Sequence, residues 1–436
     1  MLSIALACLS PPVDGGEIPL EMPSYGVHRI RAAALAATGG GPKDVPLVDL
    51  GKVGFEAAQA RLLELAPDVL GLSVYVWSTP ELVRLARAVK AARPETLIVF
   101  GGPSARTAVF DLAPNRPADA YLDAVCEGDG EAVIAAIAGL ETPSRAALAG
   151  IGGLALPDGA GGWRRSGPAP AMPLSEIPSP YALGLMPPGA VAYLETYRGC
   201  PLGCRFCEWG IARAARDVFP ADYIRREIEA FRALEAPATF LLDAGLNLNA
   251  RGFRNLAAAQ AETGFFSDSL LWAEIYPTVV KDEHLDFLGS VEAAYLGVGL
   301  QSTDPAVLKA HDRPFDMTRF RPAIERLSEV AQLEVQIIMG LPGDTPEGFR
   351  RTLDFALSLP IWSVRAYHCL VLPDALLTRG RPEWRLRFDP ETLSMRSNDG
   401  WSKVDIAMMR RELDEKAEAL GGRAGETWWS FRPGSA

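Results

Sequence analysis

Three cysteines, Cys200, Cys204 and Cys207, stand within eight residues of one another in the segment ETYRGCPLGCRFCEWG, at Cys-x3-Cys-x2-Cys spacing. Thiolates so crowded in a chain without a disulfide framework point to metal; the remaining three, Cys8, Cys126 and Cys369, are scattered. Three thiolates on one tight loop suit a 4Fe-4S cluster. Each would take one iron, and the fourth iron would stay open to chelate the amino and carboxyl groups of a small molecule. The competing reading is zinc. Structural zinc takes four closed ligands, and no fourth Cys or His lies within easy sequence reach of the triad.

The elements that must position this loop alternate between strand and helix. In the first part, strands are predicted at Ser3–Leu9, Val45–Leu50, Asp68–Tyr75, Thr96–Phe100 and Ala118–Val125, with helices at Tyr25–Ala37, Phe55–Leu65 and Pro80–Ala92 and another after Gly130. Continuous apolar strands alternating with helices make a parallel sheet covered on both faces, so residues 1–140 form a Rossmann-like doubly wound domain. Residues 141–187 hold a short hairpin (IGGLALPDGAGGW) and a Pro-rich linker. Alternation resumes over 188–375, with strands expected at Val191–Tyr197, Thr239–Asp243, Leu271–Tyr276, Ala294–Leu300, Val335–Met339 and Val364–Leu372. Six such units suit a partial (β/α)6 TIM-type barrel, whose chemistry lies at the carboxyl ends of its strands. The cysteine loop directly follows the first of them. Residues 376–436, with a charged amphipathic helix over Asp405–Leu420, form a small helical cap.

Composition narrows the function classes. A net charge of −11 disfavours non-specific nucleic-acid binding, which needs a basic surface. No stretch approaches a transmembrane span, and the opening MLSIALACLSPPVDGG lacks the basic start of a signal peptide. No membrane association and a cytoplasmic location are therefore expected.

The triad in this setting resembles the radical S-adenosylmethionine (SAM) superfamily, and the resemblance extends over almost the whole chain. It implies that SAM sits on the open iron and that Phe206 lies against its adenine. In LLDAGLN, Asp243, Ala244, Gly245 and Asn247 occupy the place of a Gly-rich stretch that binds the SAM amino group, although the common Gly-Gly-Glu form is absent. Glu274 in WAEIYP and Gln301 in GVGLQS end later strands and are expected near the SAM ribose and carboxylate. IIMGLPGDT, with Ile338, Gly340 and Leu341, resembles the segment that packs on adenine. A bland role exists for each: Glu274 could cap a neighbouring helix, Gln301 could satisfy backbone groups, and Asp344 and Thr345 could be a helix cap. His368 and Cys369, near the end of the last strand, are candidates to touch substrate, with core packing as their alternative.

A Rossmann-like domain ahead of such a barrel resembles the cobalamin-dependent branch of the superfamily. That likeness implies cofactor contacts from Ser73, Val74, Tyr75 and Trp77 in DVLGLSVYVWS, from Gly101, Gly102 and Pro103 in FGGPSA, and from Glu127, Gly128 and Gly130 in CEGDGE. The Asp-x-His-x-x-Gly pattern that supplies an axial His to cobalt is missing, and His28 reads as a helix-start residue. Tyr75 or Trp77 would then cover the lower face of cobalt. The family likeness implies a C-methyltransferase: a 5′-deoxyadenosyl radical abstracts hydrogen from substrate, and a methyl group passes from SAM through methylcobalamin to carbon. Rearrangement or cyclisation without methylation, polar methylation of an aromatic carbon without SAM cleavage, and a non-catalytic Fe–S electron-transfer or sensor role are the alternatives. Expected partners are a small-molecule or peptide substrate and an electron donor such as flavodoxin or ferredoxin.

Overall fold

The computed structural model describes residues 2–10, 20–209 and 217–433. The chain divides into two compact units: one runs to Val191 and includes Ala233–Glu235 and Pro390–Thr392, and the other comprises the remainder from Ala192.

The first unit is built on a seven-stranded sheet. Its strands are β1 (Ile4–Cys8), β2 (Leu47–Asp49), β3 (Val69–Ser73), β4 (Leu97–Gly101), β5 (Ala124–Cys126), β6 (Leu154–Pro157) and β7 (Trp163–Arg165). They lie in the order β2-β1-β3-β4-β5-β6-β7, parallel through β5 and antiparallel thereafter. The period of two along β1 explains why its sequence is apolar throughout. Ile4, Leu6 and Cys8 pack with Ala32–Leu35 of α1 (Tyr25–Thr38), while Ala5 and Ala7 join the core of the opposite face with Leu62 of α2 (Phe55–Leu65) and Leu82 and Leu85 of α3 (Thr79–Ala92). Leu62 is fully buried, so truncating it to Ala would cost about 2–5 kcal/mol. Gly39, left-handed at φ 64°, stops α1.

Two local expectations change here. Ala118–Val125 is not one strand: Ala118–Ala120 is a helical turn and only Ala124–Cys126 pairs. The reason is Asp123, which is buried and accepts from Ile98 N, Lys90 Nζ and Arg145 Nε at 2.7, 2.8 and 2.7 Å, so the chain must bend to hold a charge. The hairpin expected in the connecting segment pairs with β5 and extends this sheet.

The second unit carries six parallel strands in sequence order: β8 (Ala192–Leu194), β9 (Ala238–Leu241), β10 (Leu270–Ile275), β11 (Ala293–Gln301), β12 (Gln332–Met339) and β13 (Ser363–His368). Two tail strands, β14 (Arg423–Ala424) and β15 (Trp428–Phe431), continue the sheet, β15 antiparallel to β13 and β14 antiparallel to β15. The aromatic end of the chain is thus sheet as well as cap, with Trp429 and Phe431 fully buried and Trp429 Nε1 donating to Asp414 at 2.6 Å. Burial alternates strictly along β10, β11 and β12. Leu271, Ala273, Ile275 and their counterparts are buried; Glu274, Gly297, Gly299, Gln301 and Gln336 share the other, inner face. Of the cap, Lys403–Ala419 is a helix, opened by a reciprocal Ser402–Asp405 capping box.

Candidate functional site

The cysteine loop leaves the end of β8 through a short ribbon in which Tyr197–Arg198 pairs with Asp217–Val218. Its three thiols are free, with Cys200 and Cys204 only 8% and 5% exposed. Burial raises Cys200 and pushes Cys207 up to about 11; neighbouring thiols add to both, and the cation of Arg313 opposes. The thiols therefore lie close enough to feel one another's charge, and metal would have to displace their protons. Among the described residues no three His, Cys, Asp or Glu side chains converge on a single ion. Three free thiols on one tight loop are a donor set that fits a 4Fe-4S cluster, with one iron to each.

Arg313, which sequence reasoning passed over, is brought to this loop by the fold. Its Nη1 lies 3.8 Å from Cys204 Sγ, its Nη2 donates to Gly299 O, and its Nε is buried without a partner. The guanidinium also sits 5.3 Å from the Tyr276 ring. A half-buried guanidinium with an unused, buried donor beside a thiol cluster suits a carboxylate. Only the 109-residue separation from Cys204 hid it. Gln301 ends β11 beside it: a Cβ at Gly299 would stand 2.5 Å from Gln301 Nε2 and 3.0 Å from Arg313 Nη2. Gln301 also holds a φ of 69° next to a register shift in β11, strain of the kind found where a side chain is aimed at a ligand.

Deeper on the same face, Gln336 Nε2 donates to Glu274 Oε1 at 2.9 Å across β11. The bridge passes over Gly297, where a Cβ would collide with Glu274 and lie 2.6 Å from Gln336 Nε2. The alternating glycines of YLGVGLQ are the sequence signal for this opening. Burial pushes the Glu274 carboxyl up to about 7, so it can be proton donor or acceptor near neutrality.

The strand-end segment of β9 is tied to its neighbours. Asp243 accepts from Thr196 N at 2.8 Å, from Tyr197 N at 3.4 Å and from the Thr196 hydroxyl. Gly245 O accepts from the Tyr197 hydroxyl at 2.7 Å, and Asn247 exchanges hydrogen bonds with the Tyr276 backbone at 2.8 and 3.0 Å. Asp243, Gly245 and Asn247 therefore hold the base of the cysteine loop to β9 and β10, and Ala244 is half-buried between them. Phe206 belongs to one apolar cluster with Ile338 and Leu341. Gly340 turns the chain after β12 at φ 88°, its carbonyl accepting from Asn398 Nδ2 at 2.9 Å. His368 is buried between Arg410 and Met395 O at 2.9 and 2.8 Å, which fits packing rather than substrate contact, and Cys369 is buried in the same apolar cluster as Phe206.

In the first unit, Ser73 and Gly101 are register partners, and Val74 N donates to Gly101 O at 2.8 Å, so the loops after β3 and β4 touch. Gly102 has φ 101°, and a Cβ there would stand 2.7 Å from Val74 O. Pro103 next to it is exposed. Tyr75 and Trp77 stack with centroids 4.5 Å apart; Trp77 is 53% exposed although large and aromatic, which leaves a face for a ligand. After β5, Gly128 is open, with nothing within 4 Å of where a Cβ would stand. Gly130 differs, since a Cβ would lie 2.7 Å from Ile30 Cδ1: it lets α4 (Glu131–Ala138) approach α1. Glu127 accepts from Thr107 N and Oγ1 at 2.8 and 2.9 Å and pairs with Arg165 at 2.5 Å, which anchors its loop. A polar cluster not anticipated closes the end of β1, where Ser10 bonds Asp49 Oδ2 and Ser24 Oγ at 2.6 and 2.8 Å. The small, open loops after β3, β4 and β5 line the carboxyl edge of a sheet, where such folds hold nucleotide-bearing cofactors.

Two family profiles match this chain: the B12 binding domain over residues 15–138 and the Radical SAM superfamily over residues 194–356. A B12 binding domain followed by a radical SAM domain is the arrangement that the cobalamin-dependent radical SAM family implies. Its radical SAM domain implies a 4Fe-4S cluster with SAM, and its B12-binding domain implies cobalamin. It is 31% identical over 393 residues to 2-(S-pantetheinyl)-carbapenam-3-carboxylate methyltransferase of Streptantibioticus cattleyicolor, covering 81% of this chain and 56% of that protein. It is 29% identical over 337 residues to the cobalamin-dependent radical SAM methyltransferase TokK of Streptomyces tokunonensis, covering 71% and 48%. The chain thus spans about half the length of the curated relatives it matches. Among solved structures, its fold resembles TsrM of Kitasatospora setae (TM-score 0.67, 17% identity, 88% of this chain and 76% of that one) and OxsB (TM-score 0.69, 14% identity, 96% and 67%). Among the described residues no helix is long and apolar enough to cross a membrane.

Proposed function

We propose that this protein is a cobalamin-dependent radical SAM methyltransferase that transfers a methyl group from SAM, by way of cobalamin, to a carbon of a small-molecule substrate. The observation that carries the reading is the free thiol triad beside the Arg313 guanidinium, whose buried Nε has no partner, in one chain with a sheet whose β3, β4 and β5 loops stay open. Methyltransferase relatives matching across both units support it.

Cys200, Cys204 and Cys207 would hold the cluster, and Arg313 would bind the SAM carboxylate. Gln301 and the Glu274–Gln336 pair would meet the ribose, with Phe206, Ile338 and Leu341 as the apolar bed for adenine. Ser73, Val74, Gly101, Gly102 and Gly128 would admit cobalamin, with the stacked Trp77 and Tyr75 packing against it. When bound, these groups supply one electron to cleave the sulfonium of SAM and a carrier for the methyl group. The protein's own residues orient SAM, exclude water around the buried thiols and hold a proton at Glu274. An electron donor such as a flavodoxin or ferredoxin would supply the reducing electron.

The test is anaerobic reconstitution with iron, sulfide and cobalamin, then incubation with SAM carrying a deuterated methyl group and candidate metabolites. About four irons per chain, 5′-deoxyadenosine and label in product are expected. Product methylated without 5′-deoxyadenosine would indicate a polar route, and 5′-deoxyadenosine without label in product would indicate rearrangement.

A further inference from the structure

The segment that follows the sixth barrel strand lies outside the radical SAM match, which ends at residue 356, yet it grips the cysteine loop. Arg379 directs its whole fork at backbone carbonyls. Nη2 donates to Cys204 O and Cys207 O at 2.9 and 2.7 Å, Nη1 donates to Gly203 O at 3.1 Å, and Nε donates to Asp374 O at 2.8 Å. The loop grips back: Arg205 Nη1 donates to Arg379 O at 3.1 Å, and Glu208 Oε1 accepts from Asp374 N at 3.0 Å. A second tie runs alongside, where Trp384 stacks on His311 at 4.7 Å and His311 O accepts from Arg205 N at 3.0 Å.

We propose that Arg379 is a positioning residue that latches the cluster-binding loop and sets the charge felt by its cluster. The loop's carbonyls point inward at one guanidinium, so the turn carrying Cys204 and Cys207 is shaped before any metal arrives. Planar, divergent donors are needed to meet three carbonyls together; an ammonium is a point charge without that geometry. The charge matters as well. Three thiolates make a cluster anionic, and reduction adds another electron, so a cation held against two of its ligand residues favours the reduced form.

The inference rests on the cluster assignment and is independent of what the enzyme methylates. The full-length chain is compared with Arg379→Gln, Arg379→Lys and, as control, Arg385→Gln, an exposed arginine of the same segment. Two readouts are taken: hydrogen exchange at amides 203–208 in the metal-free protein, and the reduced fraction of the reconstituted cluster at a fixed applied potential. Arg379→Gln is expected to speed exchange at least tenfold and to lower the reduced-to-oxidised ratio about tenfold, equivalent to about 59 mV for a one-electron couple. Arg379→Lys should exchange like Arg379→Gln but keep most of the potential, and Arg385→Gln should change neither. Wild-type exchange and a ratio within twofold in Arg379→Gln would overturn the proposal. If that variant does not fold, wild-type exchange in Arg379→Lys overturns it equally. A wild-type chain that takes up no iron would instead sink the cluster assignment, while the exchange comparison still judges the latch.

Discussion

Asp243→Asn should stabilise this protein by an amount that grows from pH 5 to pH 8. Asp243 is buried, and burial outweighs its hydrogen bonds from Thr196 and Tyr197, pushing the carboxyl from an ordinary 3.8 up to about 7. Between those values the unfolded chain has released a proton that the folded protein still holds, so this residue's contribution to stability falls as pH rises. The interval corresponds to about 4 kcal/mol, all of it lost by about pH 7.5. Asparagine reproduces the neutral acid: its oxygen accepts from the Thr196 and Tyr197 amides, and its NH2 can donate to the Thr196 hydroxyl. His28, His311 and His368 act in the opposite sense. Burial lowers each to about 4, so their contribution rises between about pH 4 and 6.5, but they are common to both proteins and cancel in the difference. The assay is denaturant unfolding of the metal-free chain at pH 5, 6, 7 and 8, with hydrogen exchange at Thr196 and Tyr197 reporting the second unit separately. The variant should exceed wild type by about 1.5 kcal/mol at pH 5 and by up to about 4 kcal/mol at pH 8. A pH-independent loss of about 1–3 kcal/mol would refute the reasoning, because it would mean that the folded protein holds an ionised Asp243 as a hydrogen-bond acceptor.

Three further outcomes follow from the site. Gly297→Ala should displace the Glu274–Gln336 bridge and cost about 1–3 kcal/mol in thermal unfolding, whereas Gly289→Ala, with open space around it, should cost little. Arg313→Gln should weaken SAM binding to the reconstituted protein by about 10- to 100-fold in equilibrium dialysis, the loss of one charge-assisted carboxylate contact. Trp77→Ala should lower stability by no more than about 1.5 kcal/mol, since only the stack on Tyr75 is lost. It should still shift the visible absorption of bound cobalamin; an unchanged spectrum would remove Trp77 from the cobalamin contacts.

Much of the architecture was legible because it rests on local periodicity. Apolar runs in β1 and β3 report burial on two faces, and the alternation in β10, β11 and β12 reports one buried and one open face. Breaks in the pattern arose where a charge overrode it, as Asp123 did in shortening β5 to three residues. Site residues were legible where chemistry is local. The thiol spacing is carried by eight consecutive positions, and the resemblance drew attention to Phe206, Ile338 and Leu341, which share one apolar cluster.

Other roles depended on distance through space. Asp243 and Glu127 read as ligand contacts because both follow strands, but their oxygens hold Thr196, Tyr197, Thr107 and Arg165. By itself the sequence determined the two-domain α/β order and the three thiols of the cluster loop, since spacing and period-two burial are properties of neighbouring residues. Only the tertiary structure decided what surrounds those thiols. Arg313 and Arg379 reach Cys204 from 109 and 175 residues away, and no local pattern encodes a guanidinium whose partners are backbone atoms of another loop.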